Sequence, residues 1–238
     1  MRIAVCMSGH FRDYEKKIDK FYENVVGNHD CDFFVHSWQD SLGFSINGTR
    51  PDLSAEDFIR IGGFDKTSPP CDTSTVVARL KPKKYQFETY SEVEPNIISE
   101  AAYYTRIHHY DKPINLTSMQ RKIYLCDLLR REYETENNFK YDLVIRTRPD
   151  LTFDQAIDFD KFDLSNLHTP TEVSYNIISD VFGFSNSEIM TTYSNLYINL
   201  KNLHDTTNIM FNPHELLLGW IKQNNIDFQQ HTFGIVLR

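Results

Sequence analysis

The chain has 238 residues, of which 40% are hydrophobic, enough apolar material for a core and too much for a disordered tail or a fibre. Lys and Arg number 25 against 33 Asp and Glu, a formal net charge of -8. That balance excludes generic nucleic-acid binding through a basic surface, and it leaves room for one local cationic pocket.

Taken in chain order, the first element is a strand. Ile3 to Met7 is a short apolar run of the kind buried on both faces, and it leads into Ser8-Gly9-His10-Phe11-Arg12. No signal-peptide cleavage pattern and no run of about 18 apolar residues occur, so no membrane span and a cytoplasmic location are expected. Tyr14 to Val26 has helical spacing, with Tyr14, Ile18, Phe21, Tyr22 and Val25 along one side. Beyond the turn Gly27-Asn28-His29-Asp30, Cys31 to His36 reads as a second strand, and the crossover length suits parallel pairing. Residues 41–82 form an irregular insertion rich in Gly and Pro, with a short helix expected over Asp52 to Ile61. Lys84 to Tyr90 alternates as a strand does.

Asn115-Leu116-Thr117-Ser118 caps a helix predicted to run to about Glu134, with Met119, Ile123, Cys126, Leu129 and Tyr133 on its buried face. Tyr141 to Ile145 is a strand, stopped by Pro149. Tyr175 to Phe184 reads as a strand or strand pair. Ser185-Asn186-Ser187 caps a helix to about Leu200, Pro213 opens a last helix to Gln223, and Phe228 to Leu237 closes the chain. The sum is an α/β fold, one domain over 1–238, with a mostly parallel central sheet flanked by helices. Cys6, Cys31, Cys71 and Cys126 form no CxxC pair and read as buried free thiols of a reducing compartment. The sequons at Asn47 and Asn115 carry little weight without a secretory signal.

In open, mostly parallel sheets, ligands bind beyond the carboxyl ends of the strands. Polar and titratable residues gather at those ends here: Ser8 to Arg12, His36 to Trp38, Arg146 to Asp150, and Ser179-Asp180. The first lacks the Lys-Ser/Thr of a P-loop and the spacing of GxGxxG. Arg146-Thr147-Arg148-Pro149-Asp150 is the strongest local signal. Its two arginines alternate out of an apolar strand and project to one side, which is costly unless anions meet them. A diphosphate would suit; an internal Arg–Asp ion pair is the competing reading. The histidines have no zinc spacing. Trp38 suits sugar stacking and equally suits a core.

Met7 to Arg12, Asp32 to Trp38, Ser118 to Lys122, Tyr141 to Leu151, Ser179 to Ser185 and Asn212 to Leu217 together resemble small GT-A-type (Rossmann-like) glycosyltransferase domains of bacteria and large DNA viruses. The resemblance covers most of the chain except about 41–100. It implies a donor site for a nucleotide-diphosphate sugar, UDP-linked by expectation, made by Ser8, Gly9, His10, Arg12, Gln120, Lys122, Arg146 and Arg148. It implies acceptor contacts from His36 and Trp38, a divalent metal (Mn2+ or Mg2+) on Asp150, and a catalytic carboxylate at Asp180 or Glu215. The acceptor would be a glycan or glycoprotein, with no nucleic acid involved. One departure stands out: the family's DxD reads Arg148-Pro149-Asp150, so an arginine replaces the first acid and metal dependence is open. A non-catalytic nucleotide-sugar or carbohydrate-binding domain is the rival reading. A phosphotransferase or sulfotransferase is a third, and it lacks a recognisable cradle for its donor.

Overall fold

The computed structural model describes residues 1–11, 14–39, 72–104, 113–171 and 177–237. A seven-stranded sheet runs through its centre: β1 (Ile3–Gly9), β2 (Cys31–Trp38), β3 (Lys84–Glu88), β4 (Leu143–Thr147), β6 (Leu167–Pro170), β7 (Phe182–Ser185) and β8 (Phe228–His231), in the order β3-β2-β1-β4-β7-β6-β8. Pairing is parallel from β3 through β4 and again between β6 and β8; β7 runs antiparallel to both of its neighbours. A two-stranded antiparallel ribbon, β5 (Leu151–Phe153) with β9 (Ile235–Leu237), begins immediately after Asp150. The fold is thus α/β with a mostly parallel mixed sheet, as the alternation of apolar runs predicts. Among the described residues, no helix is long and apolar enough to cross a membrane.

The period of two in the strands sorts the core into two layers. Ile3, Val5, Met7, Phe33, Val35, Leu143 and Ile145 point to one face and pack with α1 (Tyr14–Phe21) and α2 (Thr73–Leu80). Ala4, Cys6, Phe34 and Val144 point to the other, under α4 (Pro113–Glu136) and the later helices α5 (Ser187–Ser194), α6 (Leu196–Thr206) and α7 (Pro213–Gln223). Helix α3 (Tyr90–Ala102) joins them against α4. The expected first helix ends early: α1 gives way at Tyr22 to a π-helical turn through Val26, which Gly27 closes at φ 55°. The helix predicted from Ser187 to Leu200 is two, broken at Asn195. The helix expected over Asp52 to Ile61 and most of the insertion lie outside the described residues, as do Tyr175 and Asn176; of the strand expected over Tyr175 to Phe184 only the end forms, as β7 from Phe182. Cys6, Cys31 and Cys126 are free thiols, Cys6 and Cys126 buried.

Helix α4 buries more than its predicted apolar face, taking in Gln120 and Asp127 of the neighbouring face that the spacing places beside it. It spans 24 residues, touches β1, β2, α3, α5 and α6, and buries polar residues as well as apolar ones. Arg130 is wholly buried. Its Nε donates to Asp127 Oδ1 at 2.7 Å, Nη1 to Ser187 Oγ at 2.6 Å and Nη2 to Thr191 Oγ1 at 2.8 Å, and Nη1 pairs with Glu134 Oε1 at 2.7 Å. Glu134 also accepts from the Tyr141 backbone N–H and from Ser187 Oγ, and Asp127 accepts from Ser194 Oγ at 2.6 Å. A fully satisfied buried charge network specifies how α4 seats on α5. Removing one member strands the rest, so Arg130→Ala should cost about 3–5 kcal/mol of unfolding free energy, read as a lower denaturation midpoint in urea. A loss below about 1 kcal/mol would refute that account.

Candidate functional site

At the carboxyl ends of β1, β2 and β4 lies a cleft of about 160 Å³, lined by Ser8, Gly9, His10, Trp38, Asn115, Ser118, Met119, Lys122, Arg146, Arg148 and Asp150. Its position follows from register. Ser8 pairs with His36 and Cys6 with Arg146, so the side chains of all four rise on the α4 side of the sheet. Helix α4 closes the cleft with positions 115, 118, 119 and 122, the spacing of one helical stripe. Gly9 ends β1 at φ 121°, where a side chain is strained whatever the space around it. Its carbonyl accepts from Ser37 Oγ at 2.5 Å, which ties the two strand ends together.

Arg146 forms the floor. It is 3% exposed, and its Nε and Nη1 are buried without a hydrogen-bond partner. It makes no ion pair among the described residues. Burial pushes its pKa down, while Tyr193, Asp180 and Asp150 act through space to raise it and Arg148 adds to the lowering. A second void of about 10 Å³ on its far side, bordered by Cys6, Asp127, Tyr193 and Ser194, is at the threshold for one water. A water can accept a hydrogen bond and cannot offset a charge.

Arg148 stands at the mouth, paired with Asp150: Nε to Oδ1 at 2.8 Å and Nη2 to Oδ2 at 2.5 Å. Burial lowers the pKa of the guanidinium, and the bonds to Asp150 outweigh that and raise it. The competing reading of an internal Arg–Asp pair therefore holds for Arg148 and fails for Arg146. Lys17 Nζ fixes the Asp150 carbonyl at 2.9 Å.

The opposite wall is held by Glu88 at the end of β3. It accepts from Arg121 Nη1 at 2.5 Å and Nη2 at 2.9 Å, and from Lys122 Nζ at 2.7 Å. Burial raises the Glu88 pKa, but these cations overcome it and bring it down to about 2. Lys122 Nζ also donates to the Ser37 carbonyl at 3.1 Å and lies 3.3 Å from the Trp38 ring centroid. Lys122 is thus a wall cation already matched by Glu88, and one face of the Trp38 ring is covered by it.

The expected residues divide accordingly. Ser8, Gly9, His10, Trp38, Lys122, Arg146, Arg148 and Asp150 come together at the cleft. Gln120 does not line it; two residues from both Ser118 and Lys122, it points to the opposite side of α4 and is buried there with Oε1 unpartnered. His36 lies in the sheet beside Ser8, fully buried with neither ring nitrogen bonded, so it offers no surface to an acceptor. Trp38, 3% exposed, is a buried wall and not an open stacking platform. Asp180 is 3% exposed, outside the cleft lining, and its charge acts on both Arg146 and Arg148. Its Oδ1 is 3.4 Å from His214 Nδ1. Glu215 sits in the first turn of α7 and does not line the cleft. Arg12 lies outside the described residues. Asn115, Ser118 and Met119 join the site without a sequence motif of their own; they lie seven, four and three positions before Lys122, on the same stripe of α4.

A family model described as a domain of unknown function, DUF7796, matches residues 117–235, half of the chain. The chain belongs to the DUF7796 family. No curated protein matches it. The DUF7796 match takes in Ser118, Met119, Lys122, Arg146, Arg148 and Asp150, whereas the β1 and β2 walls of the cleft precede it.

A divalent cation on Asp150 does not fit the donor set of this DUF7796 chain. Both carboxylate oxygens are held by Arg148, and Asp150 is the one acid lining the cleft among the described residues. No group of three or more His, Cys, Asp or Glu suited to a metal occurs among the described residues either. Mg2+ and Mn2+ need oxygen donors, and a guanidinium in the coordination sphere repels them.

Two expectations follow from these environments. The buried, unmatched charge of Arg146 costs stability, so Arg146→Met should leave the melting temperature unchanged or raise it while removing anion binding. A drop of several degrees would make Arg146 a structural group instead. For His36, burial first, then Lys122 and Arg121, push the pKa from about 6.5 down to about 3 against an opposing pull from Glu88. The unfolded chain then takes up a proton that the folded chain refuses. Stability should fall as pH drops below 6.5, by about 1.4 kcal/mol per pH unit, until about pH 3. Urea melts at pH 7.5, 6 and 5 measure it, and His36→Phe should flatten the profile.

Proposed function

We propose that the cleft binds the diphosphate of a nucleotide sugar and that the chain is a glycosyltransferase, moving the sugar to a glycan or glycoprotein acceptor. The observation that carries this reading is Arg146: a guanidinium 3% exposed, its Nε and Nη1 unpartnered, at the floor of a cleft beyond the strand ends. Such a group calls for an anion, and Arg148 at the mouth supplies a second guanidinium within the same cleft. The GT-A resemblance supplies the reaction class, and the mostly parallel sheet is compatible with it.

In the reaction, an acceptor hydroxyl oxygen bonds to the anomeric carbon while the bond from that carbon to the β-phosphate oxygen breaks. The electron pair leaves with the diphosphate, whose growing charge the two guanidinium groups offset. If the anomeric configuration inverts, the hydroxyl proton passes to a carboxylate. Asp180 is the expected base nearer in influence to the arginine pair. One observation favours the rival reading of a non-catalytic binding domain: Asp150, the acid lining the cleft, is already held by Arg148.

A thermal-shift screen of UDP, GDP, CDP and ADP tests the binding, and release of nucleoside diphosphate from the matching sugar donor tests turnover. A fitting nucleotide at a hundredfold excess over its Kd should add about 2.7 kcal/mol and raise the melting temperature by several degrees. If no nucleoside diphosphate or nucleotide sugar shifts the melt, the donor reading is wrong. Binding without any release of diphosphate would favour the binding domain.

A further inference from the structure

Resting on that donor reading, we infer that the diphosphate is gripped by Arg146 and Arg148 alone, without a divalent cation, and that Asp150 serves as the clamp that holds Arg148 in place. Three observations support it. Asp150 presents both oxygens to Arg148, at 2.8 and 2.5 Å, so a cation binding side-on must displace a bidentate guanidinium and one binding end-on must sit beside its positive charge. Asp150 is itself fixed, 8% exposed and with its carbonyl held by Lys17 Nζ, so the clamp is built on rigid backbone. Arg146, rising two residues earlier on the same strand, brings a charge with no ion-pair partner among the described residues.

Arg146 and Arg148 bring two positive charges and Asp150 one negative, so these three groups together carry a single net positive charge toward the two negative charges of a nucleotide sugar's diphosphate. Arg148 has hydrogen-bond donors beyond the two spent on Asp150, because a guanidinium carries five N–H groups. It can therefore receive a phosphate oxygen on its remaining edge while Asp150 keeps its orientation. A lysine in its place would be a point charge with no such second edge.

Isothermal titration of the intact protein with UDP and GDP, in EDTA and in millimolar Mn2+, reads the claim directly. The expected result is equal affinity in the two buffers, within about threefold. Affinity more than tenfold tighter with Mn2+ overturns the inference and leaves the donor reading standing. Absence of binding in both buffers overturns the donor reading and this inference with it. Variants separate the roles. Arg148→Ala should weaken binding in EDTA tenfold or more. Asp150→Asn, which replaces one of the two acceptor oxygens with an N–H donor and so breaks the bidentate clamp, should weaken binding in EDTA several-fold, less than Arg148→Ala does, and leave the affinity indifferent to Mn2+. An Asp150→Asn protein that melts like the parent yet loses a Mn2+-dependent gain shown by the parent would make Asp150 a metal ligand and sink the inference.

Discussion

A guanidinium inside a β-sheet is the constraint around which this molecule is arranged. Arg146 sits on the fourth strand with Cys6 on one neighbour and Gly183 on the other, on a face that also carries apolar Ala4, Phe34 and Val144 and, toward the carboxyl ends, Ser8 and His36. A charge there is unfavourable by several kcal/mol after relaxation, and the fold does not discharge it with a carboxylate. It surrounds the group with through-space influence from Asp180 and Asp150 and sets the side chain against a cleft. An apolar residue would make a more stable sheet. The arrangement makes physical sense when the missing partner is an anion that comes and goes.

The long helix α4 couples that site to the rest of the molecule. Its first three turns form a wall of the cleft through Asn115, Ser118, Met119 and Lys122. Its last turns carry the Arg130 network, where the guanidinium is matched by Asp127 and Glu134 and bonded to Ser187 and Thr191. The contrast is instructive. Arg130 is wholly buried, with Asp127, Glu134, Ser187 and Thr191 all in bonding range, and reads as structure. Arg146 is as deeply buried, with Nε and Nη1 unpartnered, and reads as a site. Burial of a polar residue alone does not distinguish the two; the state of its partners does.

Much of this was legible in sequence, for definite reasons. Ile3 to Met7 and Leu143 to Ile145 are continuous apolar runs because both faces of the central sheet are covered, and such runs announce parallel strands. The alternation Arg146-Thr147-Arg148 out of one of them placed two cations at a strand end. What the sequence hid was partnership. Nothing local says that Arg148 folds back on Asp150 two residues away while Arg146 finds no carboxylate. Nor does anything local say that Lys122 is matched by Glu88, 34 positions earlier and on a different strand. The same blindness explains Gln120 and His36. Both are polar residues near the right strand end or helix, and both point away from open space, because helical phase and sheet depth are set by long-range packing. That the second face of α4, with Gln120 and Asp127, is buried as well was not legible for a related reason: a helix buried on several sides loses the simple stripe on which pattern reading depends.

The pairing of Arg148 with Asp150 also bears on how such a site keeps its shape before ligand arrives. Two like charges within one small cleft repel and drive apart the side chains that bear them, and long arginine side chains have many rotamers into which to scatter. Anchoring one of them bidentately removes that freedom in advance, and the other is pinned by the sheet itself. The entropy of ordering both guanidinium groups is therefore met during folding and not at binding, so more of the interaction with a diphosphate remains as affinity. A divalent ion in the same position would reach comparable charge density only after recruitment from solution, with an affinity tied to metal supply. An arginine fixed by a neighbouring aspartate carries its charge permanently. On the proposed donor reading, Arg148, which stands where the resembled domains carry the first acid of a DxD, supplies positive charge directly in place of a recruited ion.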